Sequence, residues 1–210
     1  MEPDTSSQPS YPVQFDVDYP DRELNRWSTA FRIFTAIPIL ILLATIGAGV
    51  ARLGPGTIAA GGSGLLVLPP LLMILFRRKY PRWWFDWNLE LLRFSNRIYV
   101  YLALMDDRYP STDDGQSVRL DFPYPDAEQE LNRWLPLVKW FLAIPHYIVL
   151  VALWLLAFFC VVIAWFAVLF TGRYPQGLFG IVESVIRWGN RVTAYAFVLV
   201  TDRYPPFSFN

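Results

Sequence analysis

The sequence predicts a mainly α-helical membrane protein. It is expected to hold two tandem repeats, each a membrane helical hairpin with an interfacial amphipathic helix and short extended segments at the cytoplasmic surface. Three observations predict this: long uncharged apolar runs, a set of short motifs that occurs twice in one order, and aromatic segments that mix arginine with leucine and valine. Of 210 residues, 54% are hydrophobic and only 17% charged, against roughly a quarter in an ordinary soluble domain. Mean hydropathy is +0.31. Such apolar content excludes a disordered chain, and the lone Cys160 excludes a disulfide scaffold. Eighteen basic groups balance eighteen acidic ones, which argues against bulk attraction to nucleic acid.

Taken in order, residues 1–10 read as a disordered polar tail without the basic and apolar regions of a secretory signal, so insertion is expected to rely on internal spans. Residues 11–110 form the first unit. Val13, Phe15 and Val17 alternate as in a strand. Ile33 to Val50 is uncharged and close to the roughly 20 residues that cross a bilayer. Arg52, Leu53, Gly54, Pro55 and Gly56 read as a turn, after which Thr57 to Phe76 is again uncharged. Gly61, Gly62, Gly64 and the Pro69–Pro70 pair are expected to shorten or kink that second span. Arg77, Arg78, Lys79 and Arg82 crowd its exit and mark the cytoplasmic side, placing the N-terminus inside and the Arg52–Gly56 turn outside. Trp83 to Met105 joins Trp83, Trp84, Phe85 and Trp87 to Arg93 and Arg97 among Leu89 and Leu92, a pattern that lies in the interface.

Residues 111–117 are a linker, and residues 118–210 repeat the first unit. Val118, Leu120 and Phe122 mirror the first strand, and the two strands are expected to pair at the membrane surface. Glu23-Leu24-Asn25-Arg26-Trp27 returns as Glu130-Leu131-Asn132-Arg133-Trp134, and Ala36-Ile37-Pro38 as Ala143-Ile144-Pro145. Tyr80-Pro81 recurs as Tyr174-Pro175, Asn96-Arg97 as Asn190-Arg191, Tyr101 as Tyr195, and Asp107-Arg108-Tyr109-Pro110 as Asp202-Arg203-Tyr204-Pro205. Asp18 has no such match, because Pro123 stands in its place. Gly177 to Val200 is the second amphipathic segment.

The run from Ala143 to Phe170 poses a conflict. It lacks the breaker loop of the first unit, so its periodicity favours one long tilted helix of about 42 Å. Duplication favours a tight hairpin, because an odd number of crossings would put Arg173, Arg187, Arg191 and Arg203 outside, against the charge rule. Four membrane helices with both termini cytoplasmic are expected.

His146, the one histidine, stands just after Pro145 at the entry to an apolar run and reads as structural rather than as part of a catalytic triad. No metal-ligand spacing, phosphate loop or dinucleotide fingerprint occurs, and the apolar runs hold no Asp, Glu, Lys or Arg, which weakens a transporter reading. No cofactor and no enzymatic activity are expected. What recurs is peripheral: Arg26, Trp27, Arg97 and Arg108 in the first unit, Arg133, Trp134, Arg191 and Arg203 in the second. These eight are the candidate lipid-headgroup or partner site, since arginine offers a planar fork to phosphate and aromatics settle at the acyl boundary. The plainer reading is that these arginines pair with Asp16, Asp107, Asp121 and Asp202 and hold the surface layer together.

The block from Ala164 to Phe179 (Ala-Trp-Phe-Ala-Val-Leu-Phe-Thr-Gly-Arg-Tyr-Pro-Gln-Gly-Leu-Phe) resembles the domain of unknown function 4389 family. So do Arg187-Trp188, Arg191-Val192, Tyr195 and the closing Thr201-Asp202-Arg203-Tyr204-Pro205-Pro206-Phe207, and Ala143-Ile144-Pro145-His146-Tyr147 looks like that family's helix entry. The first unit is a looser match, with Ile39 where the second has His146. The resemblance implies a bacterial membrane protein without an established activity, and it transfers no catalytic residue. The expected function is a non-enzymatic accessory or scaffold subunit of the bacterial cytoplasmic membrane, binding lipids and other membrane subunits. The alternative is a small tandem-repeat transporter or channel.

Overall fold

The computed structural model describes residues 11–48, 63–112, 114 and 116–209. The N-terminal tail and the Arg52–Gly56 turn expected from the sequence lie outside the described residues. The elements are β1 (Gln14–Val17), α1 (Arg26–Ala48), α2 (Ser63–Arg77), α3 (Arg82–Leu102), β2 (Val118–Asp121), α4 (Lys139–Leu142), α5 (Ile144–Thr171) and α6 (Gln176–Thr193). A 3-10 turn, Leu135–Leu137, precedes α4, and a π turn, Ala194–Val198, follows α6.

The alternating apolar residues produce the two strands as expected. Val13, Phe15, Val17, Val118, Leu120 and Phe122 are all buried, while Gln14, Asp16, Arg119 and Asp121 point out. The strands pair antiparallel with Phe15 opposite Leu120, Gln14 opposite Asp121 and Asp16 opposite Arg119. The pairing is centred on Phe15–Leu120: exchanging the matched residues of the two halves turns Gln14–Asp121 into Arg119–Asp16.

Behind the ribbon lie the amphipathic helices, each docked on the strand from the other half, α3 on β2 and α6 on β1. Each starts after a proline in extended geometry, Pro81 and Pro175, both at φ −63°, ψ 126°. Apolar helices form a third layer. Ala36 and Ile39 of α1 share a buried cluster with Phe94, Ile98 and Tyr101 of α3; Ala143 and Leu150 share another with Trp188, Val192 and Tyr195. Ala157, Cys160, Ala164 and Val168 recur at helical spacing along α5 and belong to the main core with Phe179, Val182, Val185 and Ile186 of α6. Four residues, Gly172 to Pro175, separate α5 from α6. Because His146 near the start of α5 meets Trp188 near the end of α6, the two run antiparallel.

The hairpin expected between Ala143 and Phe170 is corrected: Ile144–Thr171 is one continuous helix of 28 residues. The segment holds no glycine, and its proline sits in the first turn, where no backbone donor is lost. Nothing in it opens the ladder. In the first half, α1 packs mainly against α3 and α5, and α2 mainly against the 3-10 and π turns.

Candidate functional site

The polar collar between the ribbon and the apolar layer is built from contacts that occur in pairs. Asn25 caps α1, its Oδ1 accepting Trp27 N at 3.0 Å and Ser28 N at 3.2 Å; Asn132 Oδ1 accepts Trp134 N at 2.9 Å. The Asn25 backbone N–H donates to Asp107, and that of Asn132 to Asp202. The tyrosines before the two prolines complete a crossed pair: Tyr19 donates its hydroxyl to the Tyr174 carbonyl, and Tyr124 to that of Tyr80. Arg93 Nε donates to Leu120 O and Arg187 Nε to Phe15 O, each at 2.9 Å, so each half's arginine holds the other half's strand.

Two buried cations anchor the chain after each amphipathic helix. Arg32 Nη1 donates to Tyr101 O at 2.7 Å and Asp106 O at 2.6 Å, with its guanidinium 4.4 Å from the Tyr101 ring centre. Lys139, fully buried, donates to Thr201 O at 2.7 Å, lies 2.7 Å from Asp202 Oδ1 and sits 5.1 Å from the Tyr195 ring centre. Burial pulls the Lys139 ammonium below the usual lysine range, and the Asp202 carboxylate works against that shift. Sequence reasoning missed both cations. The signal was available: they stand at the same spacing that separates Asn25 from Asn132, each just upstream of an apolar run.

The eight candidate residues divide. Arg97 and Arg191 are buried, donating to Ser111 O at 2.9 Å and Ser208 O at 3.3 Å, and Arg133 Nε donates to Leu75 O at 2.6 Å. These three hold the fold through carbonyls, not through the aspartates. Asp107 is instead met by Arg22, Asp121 by Arg93, Asp16 by Arg119 and Asp202 by Lys139. Arg26, Arg108 and Arg203 are exposed, and so are Trp27 and Trp134, at 77% and 64%. His146 is wholly buried, its Nδ1 accepting the Trp188 indole N–H at 3.1 Å and its ring stacked 4.0 Å from Phe207. It locks the C-terminal tail onto α6. A cavity of about 490 Å³ lies at the seam between the halves, lined by Leu92, Asn96 and Tyr99 on one side and Leu150, Trp154 and Asn190 on the other.

Beyond the collar, α1, α2 and α5 present a broad apolar surface that includes Ile33, Phe34, Phe76, Ile148, Val151, Leu155, Phe159 and Phe170, all more than half exposed. Among the described residues, two helices, Arg26–Thr45 and Ile144–Thr171, are long and apolar enough to cross a membrane. Fold and surface together define a mainly helical protein with candidate membrane helices. Residues 134–208, which carry α5, α6 and the C-terminal tail, match the model of the family described as Domain of unknown function (DUF4389). No curated protein and no solved structure matches the chain.

Proposed function

We propose that this protein is a non-enzymatic accessory or scaffold subunit of a bacterial cytoplasmic membrane, built from two tandem copies of one unit and binding lipids and partner membrane proteins through its apolar layer and aromatic collar. The observation that carries this reading is the division of labour among the polar side chains. Arg32, Lys139, Arg93, Arg187, Arg97, Arg133 and Arg191 are all engaged in holding segments of this chain, whereas Trp27, Trp134 and the apolar residues above them face outward. The duplication is supported by the ribbon pairing centred on Phe15–Leu120 and the crossed tyrosine and arginine contacts.

Extraction of the tagged full-length protein from native membranes in mild detergent, followed by mass spectrometry, tests the proposal. A stoichiometric membrane partner or a retained phospholipid is the expected result, and a monomer free of both overturns it. The second reading, a small transporter, is favoured by the cavity that residues of both halves line. Solute flux in proteoliposomes that is lost in Asn96→Trp would establish it.

A further inference from the structure

The reading above leaves open how a slab of three layers sits in a bilayer, and the packing of α5 on α6 decides between crossing and lying flat. One face of α5 is buried from His146 through Leu150, Ala157, Cys160 and Ala164 to Val168, so the helix follows the slab along its whole length. Beneath it, α6 carries Glu183 and Arg187 on the side turned to the ribbon, and Arg187 grips Phe15 O. The core residues Val182, Val185 and Ile186, which flank that ion pair, share their cluster with the middle of α5. The ribbon therefore lies level with the centre of α5. It exposes Asp16, Asp18, Arg119 and Asp121, each with a side chain more than half accessible.

If α5 crossed the bilayer, α6 would cross beside it, and these exposed charges would face the acyl chains near the midplane. Ionisable side chains in that position face a protein interior or a water-filled cavity. The ribbon offers neither. Laid flat, the same slab meets every requirement. The outer faces of α1, α2 and α5 enter the acyl region, the ribbon stays in water, and the ends of the apolar helices reach the headgroup level. Those ends carry the exposed tryptophans Trp27, Trp83, Trp134 and Trp140 and the exposed cations Arg26, Arg77, Arg78, Lys79, Arg82 and Arg173.

We propose that the protein is monotopic: it seats its apolar layer in one leaflet of an anionic phospholipid membrane, with α5 parallel to the bilayer plane and no helix crossing. The proposal rests on the membrane reading above and stands as the alternative to four crossings.

Depth measurement tests it. Ile148, Leu155 and Phe166 lie on one exposed stripe of α5 spread over about 27 Å. Single cysteines there (Ile148→Cys, Leu155→Cys, Phe166→Cys), in a Cys160→Ala background, carry nitroxide labels in full-length protein bound to vesicles of phosphatidylethanolamine and phosphatidylglycerol. Three equal depths within the upper acyl region are expected. A maximum at residue 155 with both flanks shallower overturns the proposal and leaves the membrane reading standing. Labels fully accessible to water, with protein that does not float with vesicles, overturn both. In intact cells, Val138→Cys and Arg173→Cys are expected to react with an impermeant maleimide from the same side, and reaction from opposite sides overturns the proposal independently of depth.

Discussion

Asn96 and Asn190 exchange amide hydrogen bonds, Nδ2 of Asn96 to Oδ1 of Asn190 at 2.9 Å and Nδ2 of Asn190 to Oδ1 of Asn96 at 2.7 Å. Both side chains are buried, and they tie α3 to α6 through matched residues of the two halves, as Phe15 and Leu120 do in the ribbon. Asn96 Nδ2 also donates to Leu92 O at 2.8 Å, so loss of the pair falls mainly on Asn190. Asn96→Leu leaves the Asn190 carboxamide stranded and is expected to cost about 1–3 kcal/mol of stability. The double variant Asn96→Leu with Asn190→Leu removes both polar groups and is expected to lose less than the sum of the two single changes. Thermal unfolding of all four proteins in one detergent measures the coupling, and additive losses would show that the pair does not act as a unit.

The Lys139–Asp202 pair gives a sharper asymmetry. Lys139 has no exposed surface, so Asp202→Asn leaves a buried cation facing only a carbonyl and a ring, a change expected to destabilise by roughly 3–5 kcal/mol. Lys139→Met removes the charge, keeps the volume and leaves Asp202 partly in water. A smaller loss is expected. Reversal of that order in denaturant unfolding would mean that the ammonium is hydrated after all.

These cations mark where sequence reading stops. Alternation at Val13, Phe15 and Val17 and at Val118, Leu120 and Phe122 foretold strands, burial and pairing, because a period of two leaves one choice of inner face. Amphipathic patterns foretold α3 and α6 in the same way. The acceptors of Arg97, Arg133 and Arg191 are backbone carbonyls, which carry no signature in the sequence, so aspartates were the natural partners to expect. For Ile144–Thr171, symmetry between the halves argued for a hairpin and local helix chemistry argued against it. Local chemistry prevailed, because a turn needs residues that this run does not contain.

Trp27 and Trp134 are largely exposed, and Trp27 lies beside Phe31, itself 53% exposed, with ring centres 6.4 Å apart. Trp27→Ala with Trp134→Ala is therefore expected to leave thermal stability within about 0.5 kcal/mol of the parent. Vesicle partitioning should fall roughly tenfold or more for each indole lost. Flotation against phosphatidylglycerol vesicles reads the partition directly, and unchanged flotation would remove the collar from the membrane contact.

Glu183 provides a pH dependence of known sign. Burial raises its carboxyl above the ordinary glutamate range; Arg187 and a hydrogen bond from the Val17 backbone oppose the shift, and Asp16 adds to it. A carboxyl whose folded pKa exceeds its unfolded value stabilises the fold fully below the unfolded value of about 4.3, and that contribution is lost as pH rises through the folded pKa. Glu183→Gln is expected to remove this part of the stability gain on acidification. Equal slopes of unfolding free energy against pH for parent and variant would contradict the assignment.

Gly172 and Arg78 end α5 and α2 in the left-handed region, at φ 73° and φ 49°. At Gly172 a methyl group would meet Glu23 Oε2 at 3.5 Å and the Arg26 guanidinium at 3.7 Å, ordinary contacts, so space is not the constraint. The backbone is: an L-residue there costs roughly 1–2 kcal/mol, and the Gly172 carbonyl must also keep its bond from Leu24 N at 2.8 Å. Gly172→Ala is expected to destabilise by about 1 kcal/mol. Arg78→Gly relieves the same strain at the other helix end, offset in part by the freer unfolded chain, and a gain of a few tenths of a kcal/mol is expected. Opposite signs in paired melting experiments would tie both effects to one backbone geometry. A loss in both would instead assign Arg78 a contact that glycine cannot replace.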